Sequence, residues 1–213
     1  MSVATTQEYA VEGLRRAILG GELRPGERVP QEEIAERIGV SVVPLREALR
    51  VLEGEGQVTY RSRRGYFVTE LRAEDLAEIY ALRQVLEAQA ARGVLPTLDA
   101  TALARMEAAA AECAAAGAAG DIATELAANR RFHFALLTHP DHPHLLRLIR
   151  LLWDSTEAYR ALYYNSPRER AAADEAHERI IAAARAGDAD TLVAELDAHR
   201  DRALHTLLGV LAG

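Results

Sequence analysis

Three histidines of this chain fall where their rings could hold one metal ion. His133 shares a helical face with Leu126, Asn129, Leu136 and Leu137, His177 lies with Ile180, Ile181 and Ala184, and His199 lies with Leu192, Leu196 and Ala203. A lone imidazole on an apolar face is commonly a satisfied core side chain, but these three are matched in height. Position 188 is eleven residues from both His177 and His199, and Gly187-Asp188 reads as the turn between their helices. Folding that hairpin puts both rings about 16 Å from the turn, at a rise of about 1.5 Å per residue. Helices about 8 to 10 Å apart can then share one ion between inward side chains. Asn129, one turn before His133, can add an oxygen donor. The other histidine group, His139-Pro-Asp-His142-Pro-His144, has a proline spacing that points its rings apart in a surface loop. A ferritin-like di-iron site would need two Glu-x-x-His pairs, and the sequence has none.

A second chemistry is carried by arginine. In Gln31-Glu-Glu-Ile-Ala-Glu-Arg-Ile-Gly-Val-Ser-Val-Val-Pro-Leu-Arg-Glu-Ala-Leu-Arg50, the apolar spacing of Ile34, Ala35 and Ile38 predicts one short helix stopped by Gly39. Ser41 can cap a second helix, with Pro44 harmless in its first turn. Leu45, Ala48, Leu49 and Leu52 give that helix its buried stripe and leave Val42, Val43, Arg46, Glu47 and Arg50 on the other side. A helix-turn-helix of this kind can enter a DNA major groove, although a plain helical hairpin of a small core shares the pattern. Downstream, Val58-Thr-Tyr60 and Tyr66-Phe-Val-Thr69 read as strands around Arg61-Ser-Arg-Arg-Gly65. This hairpin completes a winged helix whose Arg61, Arg63 and Arg64 would lie against phosphates or the minor groove.

The elements that position these groups follow from the remaining pattern. Ala10, Leu14, Ala17 and Ile18 mark a supporting helix stopped by Gly20-Gly21 and followed by the Pro25-Gly26 turn. From Leu71 on there is no strand pattern, only amphipathic helices at roughly 73–93, 98–117, 121–139, 143–165, 167–186 and 189–211. Thr97 or Asp99, Asp121, Ser166 with Pro167, and Asp188 or Asp190 are start signals, and Gly93, Gly117, Gly120 and Gly187 are stops. The expected fold is mainly α: an N-terminal winged helix-turn-helix over 1–70, then an all-α antiparallel helical bundle over 71–213.

With 213 residues, 49% of them apolar, the chain can build two modest cores. It contains no lysine, so all 25 basic residues are arginine. Residues 1–70 hold 10 arginines against 11 carboxylates, and residues 71–213 hold 15 against 21, so the acidity belongs to the second part. A pI near 5.6 argues against nonspecific nucleic-acid coating and permits a local basic surface. The sequence lacks a membrane-length apolar run and a signal-peptide pattern, so a cytoplasmic protein is expected. Its one cysteine, Cys113, agrees with a reducing compartment and reads as a small buried residue in an Ala-rich packed helix.

Leu23-Arg-Pro-Gly-Glu-Arg28, Ile34-Ala-Glu-Arg-Ile-Gly-Val-Ser41, Leu45-Arg-Glu-Ala-Leu49 and Arg64-Gly-Tyr-Phe-Val68 together resemble the DNA-binding domain of the GntR family of bacterial transcriptional regulators. The resemblance implies DNA-contact roles for Ser41, Arg46 and Gly65. Members usually show Ser-Arg-Thr-Pro where this chain has Ser41-Val-Val-Pro44, so the base-reading arginine is absent. Val42 and Val43 can offer only apolar contact, such as to a thymine methyl.

Residues 72–208 resemble the FCD effector domain of the FadR-like branch of that family, through Glu78-Ile-Tyr-Ala-Leu-Arg83 to Glu87, Asn129-Arg-Arg-Phe-His133, His177-Glu-Arg-Ile180 and His199. Members typically carry Asp where this chain has Asn129, which removes one negative charge from the ligand set. The resemblance implies a divalent ion, such as zinc, nickel or manganese, that helps hold a small carboxylate effector. Arg83 is the expected carboxylate partner, since guanidinium binds carboxylate in bidentate fashion; its plain alternative is a surface helix arginine. The expected function is therefore a metabolite-responsive repressor that binds a palindromic double-stranded DNA operator as a homodimer, not an enzyme. The alternatives are a metal sensor and a helical metalloenzyme, and the latter leaves the winged helix unexplained.

Overall fold

The computed structural model describes residues 5–163 and 166–212. By internal contacts the chain divides into two units, Met1–Leu71 with Trp153–Ala158, and Arg72–Leu152 with Tyr159–Gly213.

In the first unit, Thr5 and Glu8 form a capping box that starts α1 (Thr6–Leu19). Helix α2 (Gln31–Ile38) ends at Gly39, whose φ of +82° is a left-handed conformation that a Cβ would strain. The chain then turns into α3 (Val42–Gly54). Ser41 stands at its N-cap with extended backbone and makes no side-chain capping hydrogen bond. Leu14, Ile34, Leu45, Ala48, Leu49 and Leu52 are fully buried and pack α1, α2 and α3 into one apolar cluster. Strands β1 (Val58–Arg61) and β2 (Gly65–Val68) pair antiparallel, with Val58 opposite Val68 and Arg61 opposite Gly65. Val58, Tyr66 and Val68 join the same core.

The rest of the chain is helical: α4 (Ala73–Val94), a 3-10 turn at Leu95–Thr97, α5 (Ala100–Ala119), α6 (Ile122–Leu137), α7 (Pro143–Ser155), α8 (Glu157–Tyr163), α9 (Pro167–Ala186) and α10 (Ala189–Ala212), with Trp153–Ala158 counted in the first unit and the remainder in the second. Asp99, Asp121 and Asp188 accept hydrogen bonds from the exposed N–H groups that begin α5, α6 and α10. The buried residues Met106, Ala109, Cys113 and Ala116 form one stripe along α5. Small side chains there allow close approach, and α5 packs on α6 and α9. Phe132, Leu136, Ile180, Leu192 and Leu196 fill the core that these helices share with α4.

Two expectations are corrected. Gly117 does not stop its helix; α5 runs on to Ala119 and ends at Gly120. A Cβ at Gly117 would stand 2.9 Å from Glu125 Oε1, so this glycine makes room for a buried carboxylate. The single helix expected over 143–165 is broken at Thr156 into α7 and α8, and its last two positions, Tyr164 and Asn165, lie outside the described residues. At the break, Thr156 N–H and Oγ1–H both donate to Trp153 O, at 3.3 and 3.2 Å. That tightened, side-chain-competed turn interrupts the helical ladder. The segment around it, Trp153–Ala158, groups with the first unit, where Ala158 packs against the apolar cluster. Among the described residues, no helix is long and apolar enough to cross a membrane.

Candidate functional site

Arginines on the outer face of the first unit form one candidate site. Burying Leu45, Ala48 and Leu49 turns the opposite side of α3 to solvent, so Ser41, Val43, Arg46 and Arg50 are exposed, Val43 at 69%. Val42 departs from the expectation: it is half-buried and packs against the core of its unit, which restricts its reach toward a ligand. Arg46 Nε donates to Gln31 Oε1 at 2.9 Å, and Arg50 pairs with Glu47 at 2.9 Å on the surface. Arg61, Arg63 and Arg64 are exposed around the wing turn, with the Arg61 guanidinium 4.4 Å from the Phe67 ring centroid. Arg63 has a left-handed φ of 61°, and Arg64 N–H donates to Arg61 O across the turn. The sequence reading missed Arg28 and Gln31. Arg28 is bridged to Phe67, and both side chains end beside Gly65, where they extend the polar face. The Arg-Pro-Gly turn before Arg28 was the available signal.

The bundle brings His133 on α6, His177 on α9 and His199 on α10 together. One ring nitrogen from each lies within 4.8 Å of the others, and the ring centroids are 5.1 to 5.6 Å apart. Gly187-Asp188 is indeed the turn joining α9 to α10. His133 and His177 are buried and His199 is half-buried. Burial holds all three rings neutral: His177 is brought down to about 4, and His133 and His199 lie well below the usual histidine range. The other imidazoles push His133 and His199 further in that direction, as do Arg83 and, for His133, Arg160. Asn129 is buried, and its Oδ1 meets His177 Nε2 at 3.1 Å. An amide oxygen only accepts, so Nε2 carries the ring hydrogen and the lone pair of His177 stands on Nδ1.

Nδ1 of His177 and Nδ1 of His199 are buried without a hydrogen-bond partner, a cost of about 1 to 3 kcal/mol for a buried polar atom unless something else engages it. Neutral rings with available lone pairs suit a divalent ion. Nitrogens that each stand about 2.1 Å from one ion are at most about 4.2 Å apart, within reach of small ring rotations. The donor set therefore fits such an ion.

Arg83 is buried rather than on the surface. Its Nε donates to Glu87 Oε1 at 2.7 Å, and its guanidinium lies 4.8 Å from the Tyr80 ring centroid. Glu87 also accepts from Arg200 at 3.0 Å, and Arg200 reaches Asp197 at 2.6 Å. Thus one buried carboxylate joins α4 to α10 beside the histidines. Arg200 and the buried Arg160 were missed as charges that bear on the triad, and Glu87 as the carboxylate between Arg83 and Arg200. The four-residue spacing of Arg83 and Glu87 signalled their pair, whereas Arg160 had no local signal. The second histidine group differs from expectation, since the His139 and His142 rings pack with centroids 4.7 Å apart. His142 and His144 are exposed, and His139 Nδ1 accepts from Asp141 N–H.

Comparison with known proteins agrees with both halves. Residues 6–68 match the family "Bacterial regulatory proteins, gntR family", and residues 78–202 match "FCD domain". The chain is 32% identical over 169 residues to the uncharacterized HTH-type transcriptional regulator YdhC of Bacillus subtilis (strain 168), covering 79% of this chain and 75% of that protein. The structure of E. coli McbR/YncC superposes with a TM-score of 0.85 at 24% identity, covering 98% of this chain and 99% of that one. The structure of a GntR transcriptional regulator from Rhodococcus sp. RHA1 gives a TM-score of 0.79 at 26% identity over 95% of this chain and 97% of that one.

Proposed function

Because the chain belongs to the gntR family of bacterial regulatory proteins and carries an FCD domain, making it a DNA-binding transcriptional regulator, we propose that it is a cytoplasmic homodimeric repressor governed by a metal-dependent carboxylate effector. Ser41, Val43, Arg46 and Arg50 would meet bases and phosphates of a double-stranded operator from the major groove. Arg61, Arg63, Arg64 and Gly65 would meet its backbone or minor groove, with Val42 a minor apolar contributor. His133, His177 and His199 would hold the divalent ion, zinc, nickel or manganese. Asn129 orients His177 through Nε2, and as an amide it adds no charge to the donor set. When bound, the ion supplies a positive centre for an anionic oxygen.

The single observation that carries this reading is the sign of the surroundings. The charges of Arg83, Arg160 and Arg200 all bear on the triad, while Glu87 is the buried carboxylate paired among them. Neutral histidines leave a bound dication at its full charge among these cations, so an anion is the ligand that the site favours. A carboxylate near Arg83 would join α4 to the helices that bear the histidines. Helix α4 follows directly from the first unit through Leu71-Arg72, which offers a covalent route to the spacing of two recognition helices. Control further requires that the anion bind the DNA-competent and released forms unequally.

The test is calorimetric titration of a carboxylate panel into parent and Arg83→Ala proteins, with and without chelator. Binding that needs the metal and weakens in Arg83→Ala is expected. Metal-independent binding, or full affinity in the variant, would overturn this pose, and a panel without a binder would favour the ion itself as effector.

A further inference from the structure

His177 also belongs to a second set of groups, whose chemistry differs from that of the triad. A ring nitrogen of His177, Cys113 Sγ and a carboxylate oxygen of Asp174 all lie within 4.8 Å of one another. Cys113 on α5 is 1% exposed and His177 is 1% exposed, while Asp174 stands one turn before His177 on α9 and is half-buried. Cys113 S–H makes only a 3.6 Å contact to the backbone oxygen of Glu125. His177 Nδ1, the nitrogen that holds the lone pair, is buried without a hydrogen-bond partner.

The charges near the two sets differ in sign. His133 and His199 feel Arg83, and Arg160 or Arg200 in turn. The Cys113 thiol is raised first by burial, and Glu125, Asp174 and Glu112 add to this, with Arg131 opposing. Burial holds Glu125 and Asp174 above the usual carboxylate range; Arg170 opposes this at Glu125 more than Asp174 adds to it, and at Asp174 Glu178 adds more than Arg170 removes. The geometry itself sets a thiol and a carboxylate, two ligands that can be anionic, within 4.8 Å of an imidazole nitrogen, where the triad offers only neutral rings. Thiolate also selects softer ions than imidazole alone does, and a coordinating thiol is deprotonated by the ion that it binds.

We propose that Cys113, Asp174 and His177 form a second, thiolate-containing site for a thiophilic divalent cation of the zinc and cadmium type. The metal–sulfur bond forms as the S–H bond breaks, the proton passes to solvent, and no oxidation state changes. A thiolate, a carboxylate and a neutral imidazole give a dication zero net charge, whereas the triad leaves it at full charge. A neutral imidazole has one lone pair, so His177 serves one ion at a time. The two sites thus compete, and the identity of the ion selects between them.

The experiment adds Cd2+ alone to metal-free, reduced, full-length protein and follows sulfur-to-metal charge-transfer absorption in the near ultraviolet, with circular dichroism to monitor folding. The parent should show a band that saturates at one equivalent. Cys113→Ser should abolish it, and Asp174→Asn and His177→Ala should each weaken Cd2+ binding at least tenfold. His133→Ala and His199→Ala should retain the band, which separates this site from any failure of the triad. No band in the parent, a band that survives Cys113→Ser, unchanged affinity in Asp174→Asn, or a band lost in folded His133→Ala would each overturn the proposal.

Discussion

The winged-helix unit sets its chemically active side chains outside an apolar core, whereas the helical bundle sets them inside. Arg46, Arg50, Arg61, Arg63 and Arg64 are exposed, and the core beneath them is built from residues such as Leu45, Leu49 and Val58. In the bundle, Arg83, Glu87, Asn129, His133, His177 and Arg200 are themselves buried. An exposed arginine costs the fold little and is available to a polyanion. Buried charges persist only when they are compensated, so in the bundle ligand binding and stability become one quantity.

Four variants sharpen or break that contrast. The largest effect is expected from Glu87→Ala, which removes the carboxylate shared by Arg83 and Arg200 and should cost about 3 to 5 kcal/mol in denaturant unfolding of the bundle. A loss below about 1 kcal/mol, the scale of exposed pairs, would mean that the network is effectively solvated. In the first unit, Leu49→Ala should cost about 2 to 5 kcal/mol for an apolar reason, since Leu49 is fully buried. Arg46→Ala should leave the melting temperature of the protein in place while weakening specific operator binding by about 1 to 3 kcal/mol in a salt-controlled mobility-shift titration. Destabilisation by this variant would contradict the division between outer function and inner scaffold. The smallest effect belongs to the wing: Arg63→Ala with Arg64→Ala should lower the slope of log K against log salt by about 0.9 for each phosphate no longer neutralised, with little change in sequence preference.

How far this arrangement could be read from the sequence follows from the range of the forces involved. The helix-turn-helix was legible because its signals are local: the spacing of Ile34, Ala35 and Ile38, the left-handed turn at Gly39, and the stripe from Leu45 to Leu52. The meeting of His177 and His199 was also legible, since a hairpin with its turn at Gly187-Asp188 fixes which residues face each other. The break at Thr156 was not, because the apolar spacing continues through it and no Gly or Pro marks it, while the bond from the Thr156 hydroxyl to Trp153 O is one that spacing does not reveal. Arg83 looked equally suited to solvent, since its burial depends on Arg200 arriving from a helix 117 positions later in the chain to share Glu87. Gly117 resembled a helix stop, whereas the space it leaves is filled by Glu125 of the next helix. The hydrogen bond from His177 to Asn129 depends on ring orientation, which residue spacing does not fix.

The central claim is that the bundle controls DNA binding through a metal and an anion acting together. It is tested most directly by operator titrations at fixed salt with chelated protein and with nickel-, zinc- or manganese-loaded protein, each with and without the carboxylates found by calorimetry. A carboxylate should weaken operator affinity by about 5- to 150-fold, the usual range of coupling between sites, in the metal-loaded protein and leave the chelated protein unchanged. Equal operator affinity in all conditions, with carboxylate binding verified in the metal-loaded samples, would contradict this coupling.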